Sequence, residues 1–154
     1  MNIAEEVLEK AKLSGVMICV AESCTGGMVA AALTDIPGSS AVLERGFVTY
    51  TNAAKVEMLG VTPQALDAHG AVSEQVAAQM AQGALRASHA QLAVSITGIA
   101  GPGGSEHKPE GRVCFGVALG ATLRSETVEF GSRGRAQVRA AARDHALKLL
   151  LAAL

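Results

Sequence analysis

Tryptophan is absent, and one tyrosine and three phenylalanines are the only aromatic residues, so the interior cannot be organised around large rings. With 49% hydrophobic residues, the core has to be assembled from Ala, Val, Leu and Ile, which suits helices packed closely on a sheet. Neither sign of charge predominates. Thirteen Lys and Arg stand against fourteen Asp and Glu, a formal net charge of -1, and this removes the broad positive footprint of a nucleic-acid binder or of a protein drawn to anionic membranes. No apolar run reaches the roughly 18 residues of a membrane span. The amino-terminal segment carries Glu5, Glu6 and Glu9 and lacks the basic-then-apolar order of a signal peptide. Cys19, Cys24 and Cys114 are odd in number and lack paired metal-ligand spacing, which argues against a disulfide framework and against zinc. No cluster of His, Cys, Asp or Glu has the spacing of another metal site. These absences lead to the expectation of a cytoplasmic protein with no metal, no cofactor, no nucleic acid and no membrane among its partners.

The length of 154 residues matches one domain, and a domain of this size buries roughly two thirds of its unfolded surface. No repeat, low-complexity tract or linker divides it, so residues 1–154 read as a single domain. Asn2 caps a first helix of helical apolar period, which Gly15 ends. Val16–Val20 reads as a short buried strand, and a second helix is expected from Thr25 to about Thr34. Further on, the pattern predicts a strand at Gly46–Tyr50, a short helix capped by Asn52 and containing Lys55, and a helical turn opened by Pro63. Ser73 begins the clearest helix, with Val76, Met80 and Ala84 on one face. Leu92–Ile96 is a strand, Arg112–Leu119 and Thr122–Phe130 form a hairpin about Gly120, and a last helix runs from about Gln137 to Leu150. Alternating helices and strands predict an α/β fold, a three-layer α/β/α domain with a mixed, largely parallel sheet. In such folds ligands lie beyond the carboxyl ends of strands, where both glycine-rich segments, Ala21–Gly27 and Thr97–Gly104, are expected.

Ser23 stands between a buried strand and two glycines, a placement that exposes a hydroxyl while the following N–H groups face a developing oxyanion. The competing reading is that Ser23 or Thr25 simply caps a helix. A serine nucleophile needs a base. His69, His89, His107 and His145 all fall in or beside polar segments, whereas Lys55 closely follows a strand end. An ordinary lysine is neutral in only about one part in two to three thousand at pH 7, so a base role requires burial to lower its pKa. Tyr50, the only tyrosine, is placed to relay a proton or orient the serine. Cys24 is the rival nucleophile, read here as a packing residue without a histidine partner. The Thr97–Gly104 loop matches neither a phosphate loop nor a dinucleotide fingerprint, but its glycines let the backbone approach an anion.

Ala21-Glu22-Ser23-Cys24-Thr25-Gly26-Gly27, Tyr50-Thr51-Asn52-Ala53-Ala54-Lys55 and Ser95-Ile96-Thr97-Gly98-Ile99-Ala100-Gly101-Pro102-Gly103-Gly104, in this order, resemble the CinA C-terminal domain family. Gly38-Ser39-Ser40, His69–Ser73 and Lys108-Pro109 extend the resemblance over nearly the whole chain. It implies a stand-alone nicotinamide-nucleotide amidase that hydrolyses the carboxamide of nicotinamide mononucleotide to nicotinate mononucleotide and ammonia in pyridine nucleotide recycling. It also implies a homodimer. Ser23 would be the nucleophile, Lys55 the general base and Tyr50 a helper in proton relay. Thr25, Gly26, Gly27, Thr97 and Gly98 would line the nucleotide site, and either Arg135 or Arg139 would be the anion ligand. Two departures stand out: the loop after Gly104 is about a residue shorter than usual, and Glu110 replaces a commonly apolar residue. The alternatives are an amidase for another small carboxamide or nucleotide, and a non-catalytic nucleotide-binding module.

Overall fold

Alternation along the strands gives one sheet two apolar faces. The computed structural model describes all 154 residues. Its elements are α1 (Ile3–Ser14), β1 (Ile18–Glu22), α2 (Met28–Thr34), a 3-10 turn at Ser39–Ala41, β2 (Leu43–Val48), α3 (Asn52–Leu59), α4 (Pro63–His69), α5 (Glu74–Arg86), β3 (Leu92–Gly98), β4 (Arg112–Leu119), β5 (Thr122–Glu129) and α6 (Arg135–Ala153). Ile18 and Val20 of β1 and Leu92, Val94 and Ile96 of β3 face the cluster built with α1, α2 and α6. Cys19, Ala21 and Ala93 point the other way, onto Leu59, Ala65, Val76, Met80 and Ala84 of α3, α4 and α5. Every residue of β1 is buried, as a central strand covered on both faces requires.

The strand order is β2-β1-β3-β4-β5. β1 pairs in parallel with both β2 and β3, and β4 is antiparallel to both β3 and β5. Four of the five strands therefore share one direction, and the three-layer α/β/α arrangement with a mixed sheet is as expected. Adjacent parallel strands bring their carboxyl ends to one edge. Ser23 follows β1, Lys55 lies just beyond β2, and Thr97 is the next-to-last residue of β3.

Several boundaries differ from the expectation for physical reasons. Helix α2 starts at Met28 instead of Thr25, because Gly26 and Gly27 take left-handed φ values of 58° and 108° and hold Ser23–Gly27 as a turn. Strand β2 spans Leu43–Val48 because its pairing with β1 runs from Ile18↔Leu43 to Glu22↔Val48. Thr51, not Asn52, caps α3, accepting a hydrogen bond from the Ala54 amide. Helix α6 extends two residues earlier and three later than its apolar period suggests.

Helices α3 and α5 cross where Gly83 lies against the Leu59 carbonyl, and a Cβ at Gly83 would overlap that oxygen and its carbon. Helix propensity alone favours alanine by about 1 kcal/mol, but the overlap is with fixed backbone. Gly83→Ala is therefore expected to destabilise the protein by about 2 to 4 kcal/mol in urea denaturation. A gain in stability would show that α3 can move away at little cost.

Candidate active site

Lys55 is drawn inward by its helix. It and Leu59, one turn later, are the buried residues of α3, and the lysine side chain is only 1% exposed. Its Nζ lies 3.0 Å from Ser23 Oγ, 3.1 Å from the Thr49 carbonyl and 3.1 Å from the Tyr50 carbonyl. No carboxylate forms an ion pair with it. Burial pushes the ammonium below its ordinary pKa of 10.5, opposed only by the weaker influence of Cys24 and Glu106. Nζ donates to both carbonyls and to Ser23 Oγ, and Oγ in turn donates to the Tyr50 carbonyl at 3.4 Å. A neutral amine, with two N–H donors and one lone pair, would keep its two N–H groups on the two carbonyls and turn its lone pair to the Ser23 hydroxyl.

The turn that presents Ser23 is held from several sides. The Ser23 amide donates to the Ile96 carbonyl of β3, and the Thr49 amide donates to the Glu22 carbonyl, so the ladder continues past β1 on both sides. Glu22 is 1% exposed, and its carboxylate accepts from the Val29 and Ala30 amides, each at 3.0 Å. It is thus Glu22, not Ser23 or Thr25, that satisfies the start of α2, and Ser23 is left free for Lys55. From α6, Arg139 donates to the carbonyls of Cys24 at 2.9 Å and Thr25 at 3.3 Å. The Gly26 amide is taken by the Ser23 carbonyl, whereas the amides of Cys24, Thr25 and Gly27 have no acceptor within the fold. Cys24 packs in the core beneath Gly98, and burial pushes its thiol up to about 11. It is a packing residue.

Ser23 and Lys55 open into a cavity of about 330 Å3 whose walls include Tyr50, Ala71, Val72, Thr97, the Gly98–Gly104 loop, Glu106 and Arg135. Thr97 is 1% exposed and donates to the Ala71 carbonyl, while Lys108 Nζ donates to the carbonyls of His69 and Val72, both at 2.6 Å. These three bonds fix the α4–α5 connection as one wall. Opposite, Arg135 donates to the Gly101 carbonyl at 2.7 Å and to the Tyr50 hydroxyl at 2.6 Å. It pairs with no carboxylate, so its charge is available to a ligand. A larger groove of about 570 Å3 between β4, β5 and α6 contains no comparable convergence of polar groups.

The structure therefore brings together Ser23, Lys55, Tyr50, Thr97, Gly98 and Arg135, but not all residues expected at the site. Thr25, Gly26, Gly27 and Arg139 do not line the cavity. Thr25 is fully buried, Gly26 packs against Arg139, and Gly27 packs near Val48. Their place is in the backbone of the turn. Arg135 and Arg139 lie one helical turn apart, so one reaches the cavity while the other braces the serine turn from behind. Tyr50 meets the lysine and serine through its main-chain carbonyl, and its phenol is turned to Arg135, so no hydrogen-bonded relay runs from that hydroxyl to Ser23. Sequence reasoning missed the roles of Glu22 and Lys108. An acid at the end of a buried strand, shortly ahead of a helix start without a polar cap, was the signal for the first.

The same architecture occurs in known proteins. A competence/damage inducible protein from Agrobacterium tumefaciens superposes with a TM-score of 0.94 at 49% identity, covering 97% of this chain and 92% of that one. A competence-damaged protein superfamily structure from Escherichia coli matches with a TM-score of 0.94 at 34% identity, over 99% and 91% of the two chains. The nicotinamide-nucleotide amidohydrolase PncC of Escherichia coli strain K12 is 52% identical over 154 residues, spanning 97% of this chain and 92% of that protein. A CinA-like protein of Chlorobium phaeobacteroides is 51% identical over 145 residues, which are 91% of this chain but 34% of that larger protein. The model of the CinA C-terminal domain matches residues 1–154. With fold, ordered motifs and full-length match in agreement, the chain belongs to the CinA C-terminal domain family.

Proposed function

We propose that the protein hydrolyses the carboxamide of nicotinamide mononucleotide, giving nicotinate mononucleotide and ammonia, with Ser23 as nucleophile and Lys55 as general base. The observation that carries this reading is the 3.0 Å contact between Lys55 Nζ and Ser23 Oγ in a buried setting with no carboxylate partner. Neutral Lys55 takes the hydroxyl proton as Oγ attacks the carboxamide carbon. The Cys24 amide, which has no acceptor and belongs to a residue lining the cavity, is the donor available to the developing oxyanion. Protonated Lys55 returns the proton to the leaving nitrogen, ammonia departs, and an acyl-serine ester remains. Lys55, again neutral, then takes a proton from water as it attacks the ester, releasing the carboxylate and restoring Ser23.

A pyridinium ring next to the amide withdraws electrons and makes this carbonyl an easier target than an ordinary amide. Arg135 supplies the cavity with a permanent positive charge for the 5'-phosphate, and Thr97 and Gly98 form the wall beside the ring. The similarity to PncC supports the nucleotide substrate. The test is the production of ammonia and nicotinate mononucleotide from the mononucleotide, beside the riboside and the dinucleotide. Arg135→Ala is expected to raise KM for the mononucleotide by about 10- to 100-fold, the loss of one charge-assisted contact. Binding of the nucleotide without ammonia release would replace this reading with that of a binding module.

A further inference from the structure

Glu110 lies between the glycine loop and β4, outside the serine–lysine centre, and its carboxylate joins the tip of that loop to the start of α6, beyond the main-chain bonds of Gly111 to Ile99 and Phe130. One carboxylate oxygen accepts from the Gly103 amide at 2.7 Å, and the other accepts from the Gly134 amide at 2.9 Å. Gly103 belongs to the cavity wall, and Gly134 is the residue immediately before Arg135 at the start of α6. Arg135 in turn donates to the Gly101 carbonyl, which closes a circuit from loop to carboxylate to helix start to guanidinium and back to the loop. The carboxylate also packs against Gly101, where a Cβ would come within 2.6 Å of it.

The segments that Glu110 joins are permissive by themselves. Gly101, Gly103, Gly131 and Gly134 all have left-handed φ, between 78° and 93°, and glycine gives such stretches little intrinsic preference. Glu110 makes no ion pair with a lysine, arginine or histidine, so both oxygens are committed to the two amides. A carboxylate at the start of a long helix is also favoured by the helix dipole.

We propose that Glu110 is a positioning residue that locks the glycine loop to the start of α6 and thereby sets Arg135 for the substrate phosphate; this rests on the reading given above. Glu110 touches neither Ser23 nor Lys55, so its removal loosens phosphate binding without disabling the chemistry.

The experiment compares wild type, Glu110→Ala, Glu110→Gln, Arg135→Ala and the Glu110→Ala/Arg135→Ala double variant on nicotinamide mononucleotide and on nicotinamide riboside, which lacks the phosphate. Glu110→Ala is expected to raise KM for the mononucleotide roughly tenfold with kcat within about threefold, the scale of one charged hydrogen bond lost indirectly. KM for the riboside stays within about twofold, because the affected contact is to the phosphate. In the Arg135→Ala background Glu110→Ala adds no more than about twofold, since both changes remove one contact. Glu110→Gln keeps one acceptor and falls between, raising KM about threefold, and it carries the comparison if the alanine variant does not fold. Equal effects on both substrates, full additivity in the double variant, or an unchanged KM overturns the proposal. If wild type releases no ammonia, the assigned reaction fails. Calorimetric affinity of the mononucleotide for wild type and Glu110→Gln then still decides the positioning role, an unchanged affinity rejecting it.

Discussion

Ser23→Ala is expected to lower ammonia release from nicotinamide mononucleotide by about four orders of magnitude or more, with KM within a few-fold of wild type. Loss of a nucleophile that works as a unit with its base typically removes 10^4- to 10^6-fold from kcat, and what is left comes from the oxyanion donor and binding. The substitution removes one oxygen from a turn whose backbone is held independently by Glu22, Arg139 and the Ser23 amide bond to Ile96, so the fold and the cavity remain. A single oxygen thus separates chemistry from architecture here. The competing mechanism has Lys55 activate water directly, with Ser23 only orienting it. Under that mechanism the alanine variant keeps activity within about tenfold of wild type, as expected for the loss of one neutral hydrogen bond. Single-turnover kinetics with mass detection of an ester on Ser23 in the wild type separates the two. Near-normal turnover in Ser23→Ala would sink the covalent scheme.

How much of the fold and site is legible in the sequence depends on the range of the forces involved. Apolar period, caps and turn residues together point to every helix and strand, and the Arg112–Leu119 strand matches to the residue, because these are local signals. The start of α2 was misplaced because its N–H groups are satisfied by Glu22 from the preceding strand, whereas capping rules look for Ser or Thr at the helix itself. Ser23 and Lys55 were legible as a pair only through their ordered motifs. Nothing in the local sequence of α3 distinguishes a buried lysine from a solvated one, since its burial is decided by β1 and β2 in the folded state. The arginines show the same limit. Arg135 and Arg139 lie four residues apart in one basic segment, and only the position of the helix start sends one to the cavity and the other to the Cys24 and Thr25 carbonyls. The sequence points to the Tyr50 phenol, yet its contact with Lys55 is through main chain, which any residue would supply.

That dependence of Lys55 on its surroundings makes it a load on stability as well as the proposed base, and one substitution tests both roles. Lys55→Met keeps the length and apolar stem of the side chain and removes the titrating nitrogen. Turnover is expected to fall about 10^3-fold or more, within the range for loss of a general base that activates a nucleophile. Under the proposed mechanism the active form is the neutral amine, so kcat/KM is expected to fall as pH drops through the folded-state pKa of Lys55, which burial sets below the ordinary 10.5. Stability follows the same group. Below the folded pKa the lysine is protonated in both states, and the fold bears the full cost of a buried ammonium. Between the folded pKa and 10.5 the unfolded chain holds a proton that the folded chain does not, so wild-type stability rises with pH by up to about 1.4 kcal/mol per unit. Above that window both states are neutral and the slope ends. Lys55→Met lacks this component, so the stability difference between wild type and variant should grow in favour of wild type as pH rises through the window, measured by urea denaturation at a series of pH values. A difference that is flat, or that grows as pH falls, would mean that the fold accepts the ammonium as readily as water does, and the neutral-lysine mechanism would then lose its physical basis.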